Sequence, residues 1–193
     1  MTDLRKAAAM ATAAVLMWPA LTTAQPEPPP GSAELEAYCQ RVACRRDHVV
    51  RVTLPDGRVQ EETSALHRPA ITRNSLSVFL GEEVTAAADF DDLEFLGWRE
   101  ARRRESPETP VLTFRISQSS TDGSVAAAIT NRGRNPVKLR LHIRDAGAPA
   151  AEYTSSCPVL AGGTVYEYWS RPTVEVIVRE ASLLTDDTAL MCD

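Results

Sequence analysis

Residues 112–144 read LTFRISQSSTDGSVAAAITNRGRNPVKLRLHIR, and their periodicity decides the fold class. Leu112, Phe114 and Ile116 alternate with Thr113, Arg115 and Ser117. Thr121-Asp122-Gly123 then turns the chain into Val125, Ala127 and Ile129. A polar loop with two breakers, Asn131 to Pro136, leads into Val137, Leu139, Leu141 and Ile143. These alternate strictly with Lys138, Arg140, His142 and Arg144. A period of two means strands with one buried and one solvated face, so the Val137 to Arg144 strand is expected to keep a wet side. Parallel sheets are covered on both faces and read as continuous apolar runs, so the alternation points to antiparallel pairing.

The same period extends in both directions. Towards the N-terminus, Val50, Val52 and Leu54 alternate up to Pro55-Asp56-Gly57, and Val59 opens a second run through Thr63, which reads as a hairpin. Leu76, Val78 and Leu80 form another candidate strand, with Val84 to Phe90 and Leu93 to Trp98 less regular. Towards the C-terminus, a loop rich in Ala, Gly and Pro precedes a last pair, Thr164 to Trp169 and Thr173 to Glu180. Val174, Val176 and Val178 are expected to point inward there. Eight to ten short strands with turn signals every 8 to 12 residues or so, and no long amphipathic helix between them, predict an all-β antiparallel sandwich of immunoglobulin-like architecture. Architecture of this kind carries no function with it.

The N-terminus has the order of a secretory signal. Arg5 and Lys6 precede an apolar run from Ala7 to Leu21, and Thr22-Thr23-Ala24 supplies small residues before Gln25. The run is shorter than the roughly 20 apolar residues a spanning helix needs, and Pro19 interrupts it. Residues 1–24 therefore read as a signal peptide and 25–31, QPEPPPG, as an extended proline-rich linker. Residues 32–193 read as one disulfide-bearing domain. The expected product is exported, periplasmic or secreted, with no membrane span in the mature chain. Its cysteines, Cys39, Cys44, Cys157 and Cys192, are even in number and bound for an oxidising compartment, where thiols pair. Local closure favours Cys39 with Cys44 and Cys157 with Cys192. Residues five apart on a helix lie about 8.6 Å apart at Cα, too far for a disulfide. A short helix capped by Ser32 and running through Leu35, Tyr38 and Cys39 must consequently end before Cys44.

The net charge of −5 becomes one unit more negative once Asp3, Arg5 and Lys6 are removed, which disfavours nucleic acid or an anionic membrane as partner. The basic residues are scattered or mixed with acids, as in REARRRE at 99–105. His48, His67 and His142 sit in no catalytic or metal motif: His48 opens a strand, His67 precedes Arg68-Pro69 in a loop, and His142 lies between Arg140 and Arg144. Asp89, Asp91, Asp92 and Glu94 could offer oxygens to calcium but lack the glycine and distal glutamate of a calcium loop, and solvated carboxylates at a bend explain them. No Gly-x-Ser-x-Gly elbow or Ser-x-x-Lys appears, and Ser155-Ser156-Cys157-Pro158 has no base beside it. No catalytic residue, metal or cofactor is assigned.

One stretch concentrates aromatic residues in a chain with only 3 Trp, 4 Tyr and 4 Phe: Gly162 to Pro172, GGTVYEYWSRP. In a strand, Tyr166 and Tyr168 share one face, and Val165, Glu167 and Trp169 the other. With the latter inward, the tyrosines form a candidate ligand-binding pair; otherwise they pack under a loop or second sheet. The sequence therefore points to a non-enzymatic binding or structural module of the cell envelope whose partner is an unknown protein or envelope component. The alternatives are an envelope hydrolase with an acid–base site assembled in space, or a chaperone-like or inhibitory protein acting by strand addition.

Overall fold

The structure is a computed structural model and describes residues 33–184 and Cys192. The expected signal peptide, the linker and the Ser32 cap lie outside the described residues. Helix α1(Ala33–Cys39) is followed by β1(Arg45–Thr53) and β2(Val59–His67). Next come β3(Leu76–Phe79), β4(Glu83–Asp91), β5(Glu94–Glu100), β6(Val111–Gln118), β7(Val125–Asn131) and β8(Val137–Asp145). The chain closes with β9(Glu152–Thr154), β10(Thr164–Trp169) and β11(Thr173–Leu183). Helix α1 is broken before Cys44, where Arg41 N–H donates to Tyr38 O at 3.0 Å. This lets Cys39 and Cys44 approach to 5.4 Å at Cα and bond. The second disulfide joins Cys157 to Cys192, so both pairings are those that local closure favours.

Every sheet pairing is antiparallel. One sheet runs β10-β7-β6-β4-β5 and the other β3-β11-β8-β9. β7 and β10 are neighbours in the first sheet, β8 and β11 in the second, and the chain crosses between sheets from β7 to β8 and from β10 to β11. Such interlocked crossings belong to Greek-key sandwiches. The alternating apolar residues meet between the sheets: Leu112, Phe114, Ile116 and Ile129 from one side, Val78, Leu141, Val176 and Val178 from the other, all fully buried. Trp98 meets Phe114 and Phe95 edge-on, at 6.4 and 5.3 Å between centroids, a geometry that suits the aromatic quadrupoles.

The β1–β2 hairpin forms a third layer. Val50 and Val52 pack on Phe79 and Val174, covering the outer side of the four-stranded sheet. This alters three expectations. β3 is buried at all four positions, because it lies between the sandwich core and the hairpin. The solvated side of β8 is covered at its end, where Arg144 is drawn under the hairpin. Val174 leaves the main core: between Thr173 and Glu175 the β11 register against β8 slips by one residue, and the bulged Val174 packs beneath the hairpin. β9 is an additional short strand in what reads as an Ala-, Gly- and Pro-rich loop, and β8 pairs with it.

Candidate binding face

Among the described residues β10 is an edge strand, with β7 as its only sheet neighbour. Along it, exposure alternates. Tyr166 and Tyr168 are 57% and 67% exposed, whereas Trp169 is 8% exposed and Val165 packs against the core. The Trp169 Nε1–H donates to Thr154 Oγ1 at 3.2 Å, which satisfies the buried indole and ties β10 to β9. With its inner side anchored in this way, β10 holds the two tyrosine rings on the outside, 6.4 Å apart at their centroids and inclined by 23°.

Register determines what surrounds them. Tyr166 lies opposite Ala128 and Tyr168 opposite Ala126. One strand further, Ala128 faces Arg115 and Ala126 faces Ser117. Thr164 faces Thr130, Thr130 faces Thr113, and Thr113 faces Thr85, so four threonines form one row across β10, β7, β6 and β4. Hydroxyl pairs close at 2.9 Å at both ends of the row, Thr130 with Thr164 and Thr85 with Thr113. Among the outward side chains of β10, β7 and β6 the only charge is that of Arg115, which stands opposite Glu83 of β4. The face is therefore rich in hydroxyls and small side chains, and bordered by two exposed aromatic rings. The tyrosines are visible in the sequence. The threonine row is not, because it depends on the register of four strands whose paired threonines lie 17 to 34 residues apart.

Glu167, on the inward side of the same strand, accepts the Cys157 N–H at 2.7 Å. It thereby secures the loop that carries the Cys157–Cys192 disulfide. An inward carboxylate on an edge strand also discourages pairing with another chain, since a docking strand would have to desolvate it.

The histidines and acids occupy other places. His67 ends β2 instead of entering a loop exposed, and it is 7% exposed beneath the hairpin. Its Nε2 lies 3.9 Å from Glu175 Oε1. Glu175 is 2% exposed. It accepts hydrogen bonds from Ser77 Oγ at 2.6 Å and Arg144 Nε at 2.9 Å. Burial pushes the Glu175 carboxyl up, but the bonds from Ser77 and Arg144 outweigh it and hold the group below its usual range. Burial also depresses the His67 imidazole, against the partial opposition of Glu175, so His67 is neutral at pH 7 and Arg144 is the counter-ion of Glu175. Asp47, with φ 48°, interrupts the alternation of β1. Arg45 and His48 both reach Phe79, with the guanidinium 4.8 Å and the imidazole 4.3 Å from its ring centre. Arg45 also donates to Glu82 at 2.8 Å. His142 stacks edge-on against Tyr153 at 5.9 Å. Its imidazole is lowered first by partial burial and then by Arg179 and Arg140.

Of the acidic cluster, Asp89 pairs with Arg99 at 2.9 Å, and Asp91, Asp92 and Glu94 are exposed around the β4–β5 turn. Among the described residues no group of three His, Cys, Asp or Glu side chains is placed to hold a metal ion. No helix among them is long and apolar enough to cross a membrane. No protein-family model, curated protein or solved structure matches the chain.

Proposed function

We propose that this protein is a non-catalytic exported binding module, and that its recognition surface is the outer face of the five-stranded sheet around Tyr166 and Tyr168. The observation that carries this reading is the exposure of both rings, more than half of each, on a strand whose opposite side is buried. Large amphipathic rings presented with few rotatable bonds are what recognition surfaces concentrate. Two disulfides fit an oxidising destination, and the signal-like N-terminus would deliver the chain there. The competing readings have less to draw on. The His67–Glu175 pair that an acid–base mechanism could use is buried and already engaged by Arg144 and Ser77. The inward Glu167 disfavours strand addition along β10.

The test is retention of the purified, oxidised protein on the total envelope fraction of the producing organism. Wild type should be retained and the Y166A/Y168A protein should not. The double variant should melt within about 4 °C of wild type, because exposed side chains typically contribute no more than about 0.5 kcal/mol each. Equal retention of both proteins refutes the assignment of the face. A melting temperature lowered by 10 °C or so would show that the rings serve the fold instead.

A further inference from the structure

We infer that the ligand of this face is an uncharged polysaccharide chain, an inference that rests on the binding-module reading and adds to it the chemistry of the partner. The face offers three things together. Tyr166 and Tyr168 give two exposed rings, inclined by only 23°, against which the C–H-rich side of a sugar ring can stack. The row Thr164, Thr130, Thr113 and Thr85 places one threonine on each of four adjacent strands, the strands being about 4.8 Å apart. Each hydroxyl has one donor and two acceptor positions, so the two bonded pairs leave capacity for further hydrogen bonds directed outward. Ala126 and Ala128 stand between the tyrosines and β6 without rising above the sheet, so the strip beside the rings is open along the strands.

Charge narrows the choice of ligand. A phosphate- or carboxylate-bearing polymer needs a concentration of cations, and the outward residues of β10, β7 and β6 supply only Arg115, set against Glu83. A lipid surface needs a contiguous apolar patch, and here the neighbours of the rings are hydroxyls and alanines. A neutral polyhydroxylated chain matches all three features: it has alternating C–H and O–H surfaces, carries no charge, and is long enough to run past both rings and the threonine row.

The experiment is affinity electrophoresis of the oxidised protein in native gels containing one polysaccharide each: hydroxyethylcellulose, laminarin, amylose and galactomannan as neutral probes, alginate and heparin as anionic ones. The expected result is retardation by at least one neutral polymer, unchanged in 0.5 M NaCl or so, because counterion release plays no part. Y166A/Y168A should weaken that retardation at least tenfold. Y166F/Y168F keeps the rings and should stay within roughly threefold of wild type. T113V/T130V, which keeps the shape and removes two hydroxyls, should weaken it about fivefold or more, the effect of losing one hydrogen bond of ordinary strength. Retardation by no neutral polymer, or by alginate or heparin alone with loss in salt, overturns the inference. The two levels separate cleanly. Tyrosine-dependent retention on the envelope fraction without retardation by a neutral glycan removes the glycan and leaves the binding face, whereas tyrosine-independent retention removes both.

Discussion

Replacing Glu175 by alanine isolates what holds the hairpin on the sandwich. In the native protein this carboxylate is almost fully buried and is contacted from three elements: Ser77 of β3 at 2.6 Å, Arg144 of β8 at 2.9 Å and His67 of β2 at 3.9 Å. Removing one partner of a buried ion pair typically costs about 3–5 kcal/mol, because the other charge stays buried without compensation. Two features place this site at the lower end. The Arg144 side chain is 19% exposed, and its Nη1 keeps a second carboxylate, Glu62, at 2.8 Å. A loss of about 3 kcal/mol follows, equivalent to about 6–12 °C in melting temperature for a domain of this size. Glu62→Ala is the internal control: Glu62 is more exposed and leaves Arg144 paired with Glu175, so its loss should cost about 1 kcal/mol. Thermal unfolding by circular dichroism at pH 7 measures both variants. Hydrogen exchange should show the extra opening of E175A concentrated in β1 and β2. An E175A protein within about 1 kcal/mol of wild type, or one less affected than E62A, would refute the argument that this cluster clamps the third layer.

Three further outcomes are expected. Stability should fall on acidification from pH 7. Below about pH 6.5, the ordinary imidazole value, the unfolded chain takes up a proton at His67 that the folded chain resists. Below about pH 4.3 the same holds for Glu175, whose carboxyl is also lowered, so in both windows the unfolded state binds more protons. A melting temperature independent of pH between 7 and 5, or an unchanged slope in His67→Gln, would contradict this. Gly97→Ala should destabilise by about 3 kcal/mol in chemical denaturation, since φ is +139° and a Cβ would sit 2.4 Å from the Arg73 carbonyl oxygen; a neutral effect would mean that the β5 backbone moves freely there. Cys192→Ala should cost about 4 kcal/mol and Cys39→Ala about 2, because the two disulfides close loops of 35 and 5 residues, and the reverse order would point to strain or residual structure in place of chain entropy.

How much of this was legible in the sequence varied with the range of the interactions. β6, β7 and β8 follow from alternation alone, because each buries one side in the core. The end of α1 follows from the reach of a disulfide between Cys39 and Cys44. What escaped depends on contacts between distant segments. Arg144 looks like any solvated residue of an alternating strand until the hairpin from residues 45–67 is laid over it. Val174 fits the inward set of Val176 and Val178, and only the bulge against Asp145 and Arg144 turns it away. His67 precedes Arg68-Pro69 and so reads as loop, yet it pairs with Arg45 at the open end of the hairpin, farthest from its turn. In the candidate site, the placing of Tyr166 and Tyr168 on one side needs only the period of a strand. Their surroundings need the register of three further strands, which no local pattern specifies.

The hairpin layer also makes the molecule one-sided in its tolerance of change. Outward residues of the four-stranded sheet such as Ser77, Phe79 and Glu175 are buried beneath the hairpin, so altering any of them disturbs packing. Outward residues of β10, β7 and β6 such as Tyr166, Ser117 and Arg115 are exposed among the described residues and can be exchanged at little cost to the fold. The fold accordingly constrains one surface, while on the other only the ligand does. The same asymmetry makes the molecule a natural scaffold for a combinatorial library, with the randomised positions confined to three adjacent strands.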